Sequence, residues 1–205
     1  MDYLDLYLIH LPVTLKKVNS NDNEVRIDKE DIIPFDMRGT WEAMEECCRL
    51  GLAKSIGVSN FTCTKLSQIL HYATIPPAVE VHVAWRQEKM LEYCKEKRIH
   101  VSAWSPLGAN GIIPWGRALS LKILPFTNTR ALLRRVYEQG ASAIVKSFNE
   151  DRMKENLQIL DWELSNEEIA QIQEIPPCTG FRVDMVLVHP NGPYKSSHQF
   201  WDGEI

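Results

Sequence analysis

Residues 4–12 read LDLYLIHLP, and this apolar run, closed by a proline, decides the fold class. Apart from Asp5 it is apolar at consecutive positions, which is typical of a strand that a parallel sheet buries on both faces. Further strand-like runs follow, and a segment with helical spacing of apolar residues separates each run from the next. These runs lie at residues 55–59, 78–82, 99–104 and 142–146. Strands that alternate with helices predict an α/β fold with a parallel sheet.

The segments around the strands carry helix start and stop signals. Thr62 and Asn149 occupy cap positions, Ser165 and Glu168 form a capping box, and Gly51 stands where a helix ends. We therefore predict helices at residues 40–50, 62–70, 87–96, 130–138, 149–159 and 165–175, and loops at residues 16–31 and 105–128.

The composition excludes several classes of protein. Of the 205 residues, 23 are Lys or Arg and 27 are Asp or Glu, so the net charge is -4 and no basic block marks a nucleic-acid surface. No apolar run approaches the roughly 18 residues of a membrane span, and the acidic start at Asp2 is unlike a signal peptide. The sequence therefore predicts a chain that binds neither nucleic acid nor membranes.

The cysteines argue against a metal site and against a disulfide framework. Their number is odd, no CxxC pair occurs, and no histidine lies at zinc-finger spacing. We expect buried thiols in a reducing, cytoplasmic compartment. The five residues are Cys47, Cys48, Cys63, Cys94 and Cys178.

Functional groups of parallel α/β folds gather at the carboxyl ends of the strands. Neither GxGxxG nor GxxxxGK[ST] is present, which argues against a Rossmann dinucleotide motif and a P-loop. The strand-end rule instead selects His10, Ser59 with Asn60, His82, Trp104 with Ser105, and Lys146 with Ser147.

Lys146 and Ser147 belong to the sharpest of these clusters. Asn149 begins a helix directly after them, and Arg152 lies in its first turn. Two cations, a hydroxyl and the N–H groups of a helix N-terminus together suit an anion such as a phosphate. Solvated Lys and Arg side chains at the surface are an equally open interpretation.

Two alternatives also stay open for the other strand-end residues. His10 is either a hydrogen-bonding or acid/base group for a ligand, or a packed histidine bonded to the backbone. Trp104 is either a stacking surface for a ring or part of the core. Ser59 and Asn60 suit a ligand amide and a turn equally well.

Four segments in the right order resemble the aldo-keto reductase family. They are residues 4–12, 51–61 (GLAKSIGVSNF), 101–108 (VSAWSPLG) and 145–157 (VKSFNEDRMKENL). Residues 162–165 and 201–205 are similar to its plant branch of chalcone-, codeinone- and tropane-ketone-type reductases. The resemblance implies a (β/α)₈ barrel of the TIM type, incomplete here, with only strands 4 to 8 of the family barrel. Residues 1–175 would form the partial barrel and residues 176–205 a C-terminal tail like the family's substrate loop.

The resemblance also implies an oxidoreductase that uses NADPH to reduce the carbonyl group of a small aldehyde or ketone. Of the family's catalytic Asp, Tyr, Lys and His, only the histidine has a counterpart here, His10, whose role would be to orient the carbonyl. The family's proton donor is the tyrosine, and no tyrosine of this chain lies in its motif. We therefore expect the chain by itself to be catalytically impaired.

The cofactor site carries over more fully. Ser59 and Asn60 match the residues that bind the nicotinamide carboxamide, and Trp104 stands where the family stacks a tyrosine on the nicotinamide. Ser105 and Leu107 match positions along the pyrophosphate. The 2′-phosphate and adenine contacts of NADP match Lys146, Ser147, Phe148, Arg152, Glu155 and Asn156.

Two departures from the family pattern leave a second function open. The Asn-Gln pair expected before Glu80 is missing, and residues 117–129 form a shorter segment than usual. The alternative is a non-catalytic module, derived from such a reductase, that binds a nucleotide or a partner protein. The family predicts a monomer, whereas the open edges of an incomplete barrel allow association.

Overall fold

The computed structural model describes residues 2–16, 28–82, 87–107, 129–174 and 183–204. Expectations for Cys178, for most of the 105–128 loop and for a boundary between residues 175 and 176 lie outside the described residues. The strands are β1 (Leu4–Ile9), β2 (Thr14–Leu15), β3 (Ile32–Ile33), β4 (Ala53–Ser59), β5 (Ala78–His82), β6 (Val101–Trp104) and β7 (Ala141–Ile144). The α-helices are α1 (Met37–Arg49), α2 (Cys63–Tyr72), α3 (Glu88–Lys97), α4 (Thr129–Glu138), α5 (Glu150–Leu157), α6 (Asn166–Glu174), α7 (Val183–Val186) and α8 (Ser197–Phe200).

Five strands of the described chain form one sheet in the order β1-β4-β5-β6-β7. β1 runs parallel to β4, with Leu4 opposite Ala53 and Ile9 opposite Val58, and β6 runs parallel to β7. Because a helix lies between each strand of this sheet and the next, the predicted α/β class is confirmed. β2 and β3 pair in antiparallel fashion, which the sequence did not predict for the ends of the 16–31 loop.

The expectation that β1 is buried on both faces is wrong. Leu4, Leu6 and Tyr7 are 40%, 36% and 46% exposed. In the described sheet β1 pairs with β4 alone and lies at an edge. An apolar run indicates that a strand can be buried on both faces. It does not indicate whether a second strand pairs with it.

Gly57 explains how closely β4 approaches the strands on either side of it. A Cβ atom at this position would collide with the carbonyl oxygen of Ala78 in β5 and with the side chain of Leu8 in β1. Glycine is therefore required here by space rather than by its backbone angles. The residue lies two positions before Ser59, the last residue of β4.

The chain divides into two compact units, Met1–Val79 with Phe181–Ile205, and Glu80–Gly180. In the first unit the tail contributes to the core itself, because Phe200 and Trp201 are as fully buried as Trp41, Leu66 and Ile69. The second unit has a core cluster of Ala131, Leu132 and Ile172, against which Leu107, Trp162 and Leu164 pack.

The predicted caps are confirmed. The side chain of Thr62 accepts a hydrogen bond from the Lys65 N–H (3.1 Å), and that of Asn149 accepts one from the Arg152 N–H (2.9 Å). Ser165 and Glu168 exchange both bonds of the capping box. Each cap satisfies a backbone donor that the first helical turn leaves without an internal partner.

The cysteines only partly match the expectation of buried thiols. Cys94 is buried, whereas Cys47, Cys48 and Cys63 are half-buried. None of these four forms a disulfide with another described residue.

Candidate active and nucleotide-binding site

His10 follows the last residue of β1, at the carboxyl end of the strand. Its imidazole is exposed and makes no hydrogen bond to any described residue. Its carbonyl oxygen accepts a hydrogen bond of 2.8 Å from the side-chain amide of Asn60. The interpretation of His10 as a packed histidine is therefore disfavoured, since the ring is open to a ligand.

Asn60 lies beside His10 because β1 and β4 run in parallel register and end at the same edge. Its backbone is left-handed (φ 60°), a conformation that Asn tolerates better than most residues. The amide nitrogen donates to His10 and also to the Ser59 hydroxyl (3.2 Å). Because both amide hydrogens are directed at the protein, the side-chain oxygen Oδ1 is the atom that Asn60 can offer to a ligand.

Trp104 ends β6 in the second unit and is half-buried. Its ring meets the ring of His82 edge-on, with centroids 4.3 Å apart. His82 is buried, and its Nδ1 has no hydrogen-bond partner among the described residues. Burial lowers the pKa of His82 to about 4, so the imidazole that steadies Trp104 is neutral at pH 7.

The residues after Trp104 have unusual backbone and packing. Ser105 adopts a left-handed conformation (φ 49°), which is uncommon for serine and costs about 1 kcal/mol or more. Leu107 is anchored by packing against the cluster of Ala131, Leu132 and Ile172. The chain therefore holds Ser105 in a strained turn between a rigid aromatic residue and an anchored leucine.

The segment from Lys146 to Asn149 follows β7 and leads into α5. The ammonium of Lys146 lies 3.5 Å from the ring centroid of Phe148, a cation–π contact. Phe148 is 90% exposed, which is extreme for a phenylalanine. The hydroxyl of Ser147 accepts a hydrogen bond from the Asn149 N–H (3.1 Å), so the turn is fixed before the helix begins.

α5 presents the remaining predicted residues. Arg152 and Glu155 are exposed, one helical turn apart, and Asn156 is half-buried. Neither Lys146 nor Arg152 forms an ion pair with a described residue, whereas Lys154 on the same helix is paired with Glu150. Two cations without an ion-pair partner among the described residues, an exposed aromatic ring and the positive end of the α5 dipole therefore lie within seven residues, together with the acidic Glu150 and Asp151.

A model of the family described as "Aldo/keto reductase family" matches residues 1–132. The chain belongs to this family.

Plant aldo-keto reductases are among its curated relatives. The chain is 49% identical over 217 aligned positions to "Rhazimal reductase 2" of Alstonia scholaris, covering 100% of this chain and 66% of the relative. The same figures hold for "(1S)-1,7-diacetoxy-luvungin A aldo-keto reductase" of Citrus sinensis. "Deoxymugineic acid synthase 1" of Zea mays is 48% identical, with 100% and 68% covered. The chain thus spans about two thirds of the length of these relatives.

The fold of this aldo-keto reductase chain is an incomplete (β/α)₈ barrel, as predicted. Among its described residues no helix is both long and apolar enough to cross a membrane. The described side chains also contain no group of three or more His, Cys, Asp or Glu placed to hold a metal ion.

The site residues fall into two sets. His10, Ser59 and Asn60 meet in the first unit, and the residues from Trp104 onward lie in the second unit. Within the second unit, Lys146 contacts Phe148 and Ser147 contacts Asn149 in the segment that leads into α5, and Arg152 lies in the first turn of that helix. Their roles toward a cofactor stay predictions.

Two features of the aldo-keto reductase chain had no signal in the sequence. The ring contact between His82 and Trp104 was not predicted, although both residues end strands. The second is a network in which Thr62 and Lys65 contact Asp202, and Glu204 contacts the start of α2. Residues 201–205 resemble a family motif, but nothing in the sequence indicated that Asp202 and Glu204 contact α2.

Proposed function

We propose that the chain carries the nucleotide site of an NADPH-dependent carbonyl reductase, and that this chain by itself does not turn over. The observation that supports this most directly is the start of α5. There, the ammonium of Lys146 lies over the exposed ring of Phe148, and Arg152 follows in the first turn of the helix; neither cation has an ion-pair partner in the described chain. A nucleotide that combines an anionic phosphate with an aromatic base matches both properties.

The residues at α5 fit the adenosine half of NADPH. Lys146 and Arg152 would hold the 2′-phosphate through charge-assisted hydrogen bonds, and the backbone N–H groups of the first helical turn add further donors. Ser147, Phe148, Glu155 and Asn156 would contact the phosphate and the adenosine. NADH lacks the 2′-phosphate, so the site favours NADPH.

The other predicted contacts concern the reactive half of the cofactor, which supplies a hydride to a carbonyl carbon when it is bound. Asn60 offers Oδ1 to the carboxamide N–H, and Ser59 lies beside it. Trp104 offers a ring face whose edge is held by the neutral His82. Ser105 and Leu107 would contact the pyrophosphate of the cofactor.

The proton needed for carbonyl reduction has no evident donor in this chain. The exposed imidazole of His10 would orient the carbonyl oxygen, but no tyrosine lies in the family's proton-donor motif. General acid catalysis contributes on the order of 10²–10⁴-fold to such a rate. The purified chain is therefore expected to bind NADPH without measurable reduction of small aldehydes and ketones.

A second candidate function is supported by the exposed edge at β1. Leu4, Leu6 and Tyr7 expose apolar side chains, and in the described sheet β1 pairs with β4 alone. Exposed apolar edges favour association with another strand. In this alternative the chain acts as a non-catalytic module in the cytoplasm, and a partner protein covers β1, whereas the reductase proposal describes a monomer that binds a small carbonyl compound.

Binding and turnover assays separate the two functions. Fluorescence titration should show NADPH binding, and Lys146→Ala and Arg152→Ala should each weaken it by about tenfold or more while leaving NADH nearly unchanged. Lys154→Ala is the matched control, because Lys154 is already paired with Glu150. Equal losses for both cofactors would overturn the 2′-phosphate assignment. Turnover that the purified chain sustains and that His10→Ala abolishes would overturn the expected impairment.

A further inference from the structure

A cavity of about 500 Å³ lies in the first unit, between the segment that follows β1 and the tail. Its size is in the range of small-molecule sites. The lining residues come from β2 to β3 on one side and from the turn after α7 on the other. They are Lys16, Lys29, Glu30, Ile32, Ile33, Pro34, His189, Asn191, Gly192 and Pro193.

Direct hydrogen bonds hold the two walls of this cavity together. The ammonium of Lys29 donates to the carbonyl oxygen of Asp184 in α7 (3.0 Å). The hydroxyl of Tyr194 donates to the carbonyl oxygen of Pro12 (3.0 Å), two residues after His10. The cavity is thus built into the unit, and its first wall begins at Lys16, six positions after His10 in the segment that follows β1.

The lysines supply most of the donors of the cavity. Lys16 makes no side-chain hydrogen bond or ion pair within the described chain. Lys29 uses one of its three ammonium hydrogens on Asp184, which leaves two. Glu30 is the single carboxylate in the lining, and it forms no ion pair with either lysine.

The tail side of the cavity adds the imidazole of His189 as a donor. Nδ1 of His189 accepts a hydrogen bond from the Asn191 N–H (3.2 Å), so the hydrogen of the neutral ring lies on Nε2. The carbonyl oxygens of Pro190 and Gly192 are occupied by the ammonium of Lys195, at 2.6 and 2.8 Å. The turn at residues 189–193 is therefore internally bonded: its three backbone N–H groups are donated within residues 189–194, and the Nε2 hydrogen of His189 is left as a donor.

We propose that this cavity binds the carboxylate of a keto acid, with Lys16, Lys29 and His189 as its donors. The lining has two lysines and one carboxylate, Glu30, and an anionic group with several acceptor oxygens satisfies the remaining hydrogens of the two ammonium groups. As a statement about the substrate, this rests on the proposed reductase function: the carbonyl lies toward His10 and the charged end in the cavity. The apolar side chains of Ile32, Ile33 and Pro34 contact the carbon chain between them.

The test compares two ketones that differ in one carboxylate, 4-oxopentanoate and 2-pentanone, and uses inorganic phosphate as a third probe. Binding to the full chain is followed by NMR chemical-shift changes, so no turnover is needed. We expect 4-oxopentanoate to bind at least about tenfold more tightly than 2-pentanone, and Lys16→Met and Lys29→Met each to remove about tenfold of that affinity. Lys54→Met on β4, whose ammonium contacts Asp5 and Tyr3, is the control.

The outcomes distinguish failure of the cavity proposal from failure of the reductase proposal. Equal affinity of the two ketones, or no loss in Lys16→Met, overturns the inference; Lys16 holds no structural bond, so this variant should fold. Phosphate that binds as tightly as 4-oxopentanoate shows a general anion site and overturns the keto-acid assignment. The same samples are titrated with NADPH. Loss of NADPH binding with retained 4-oxopentanoate binding refutes the reductase proposal alone, and the converse result refutes the cavity alone.

Discussion

The N-termini of α2 and α5 begin with the same local device and meet different partners. Thr62 caps α2 and Asn149 caps α5, each by accepting the N–H of the residue three positions on. At α2 the carboxylate of Glu204 takes the next donors, the N–H groups of Cys63 (2.8 Å) and Thr64 (3.1 Å). At α5 no described carboxylate from elsewhere in the chain accepts such donors; Glu150 and Asp151 lie in the helix's own first turn, next to Lys146 and Arg152 in sequence.

The N-terminus of α2 is covered by the tail, whereas the N-terminus of α5 is exposed. Around α2 the tail closes a buried network: Lys65 donates to the Asp202 carboxylate (2.6 Å) and to the carbonyl oxygen of Phe200 (2.6 Å). Thr62 donates to the same carboxylate (2.5 Å). Around α5 the first helical turn and Phe148 lie at the surface. A carboxylate from the tail thus meets the N-terminus of α2, whereas the N-terminus of α5 is where we propose that a bound anion lies.

The largest expected effect comes from breaking the α2 network. Lys65→Met removes a cation that is nearly buried and leaves the Asp202 carboxylate and the Phe200 carbonyl without it. Removing one partner of a buried pair costs about 3–5 kcal/mol, so we expect the free energy of unfolding to fall by about 3–4 kcal/mol in urea titrations. Lys154→Met, which breaks an exposed pair on α5, should change it by less than about 0.5 kcal/mol. Similar losses of unfolding free energy in Lys65→Met and Lys154→Met would contradict the difference between the α2 network and the start of α5.

A pH titration should show that the second unit draws stability from its core rather than from α5. The pKa of His82 is lowered by burial from 6.5 to about 4. Between these values the unfolded chain binds more protons, so stability is retained above pH 6.5 and lost as the pH falls toward 4, by about 3 kcal/mol. His82→Phe should remove this part of the pH dependence in urea titrations, and Lys146→Ala should leave it intact. A profile that His82→Phe does not alter would contradict the assignment.

The smallest expected effect is on the anion that the tail supplies to α2. Glu204→Gln keeps the shape of the side chain but removes the charge that faces the helix dipole and two backbone N–H groups. Such interactions are worth about 0.5–1 kcal/mol, and the unfolding free energy should fall by that amount, more at low than at high salt. Glu163→Gln, at an exposed position, is the control. A salt-independent loss would point to packing rather than to charge.

Local features of the fold were predictable from the sequence, and long-range ones were not. Thr62, Asn149 and Ser165 were recognised as caps because a cap acts on residues two or three positions away. Glu204 was not linked to α2, since its partner Thr64 lies 140 positions earlier in the chain. The exposure of β1 was not predicted for a related reason. The burial of a strand depends on its neighbouring strands and not only on its own sequence.

The candidate site also has features that the sequence predicts and features that only the structure shows. The cluster from Lys146 to Arg152 is contiguous, and its assembly at one helix start followed from spacing alone. The chemistry of single residues needed coordinates. Asn60 turns both of its amide hydrogens toward the protein, and Ser105 is held in a left-handed turn, neither of which any residue pattern shows.

The measurement that tests the central claim most directly is calorimetric binding of adenosine fragments, because it isolates the open N-terminus of α5 from the reactive half of the cofactor. Adenosine 2′,5′-bisphosphate should bind the wild-type chain at least about tenfold more tightly than adenosine 5′-monophosphate. The double variant Lys146→Ala/Arg152→Ala should abolish this difference, and Lys154→Ala should preserve it. Equal binding of the two fragments to the wild-type chain, or a preference that survives the double variant, would contradict an adenosine 2′-phosphate site at α5.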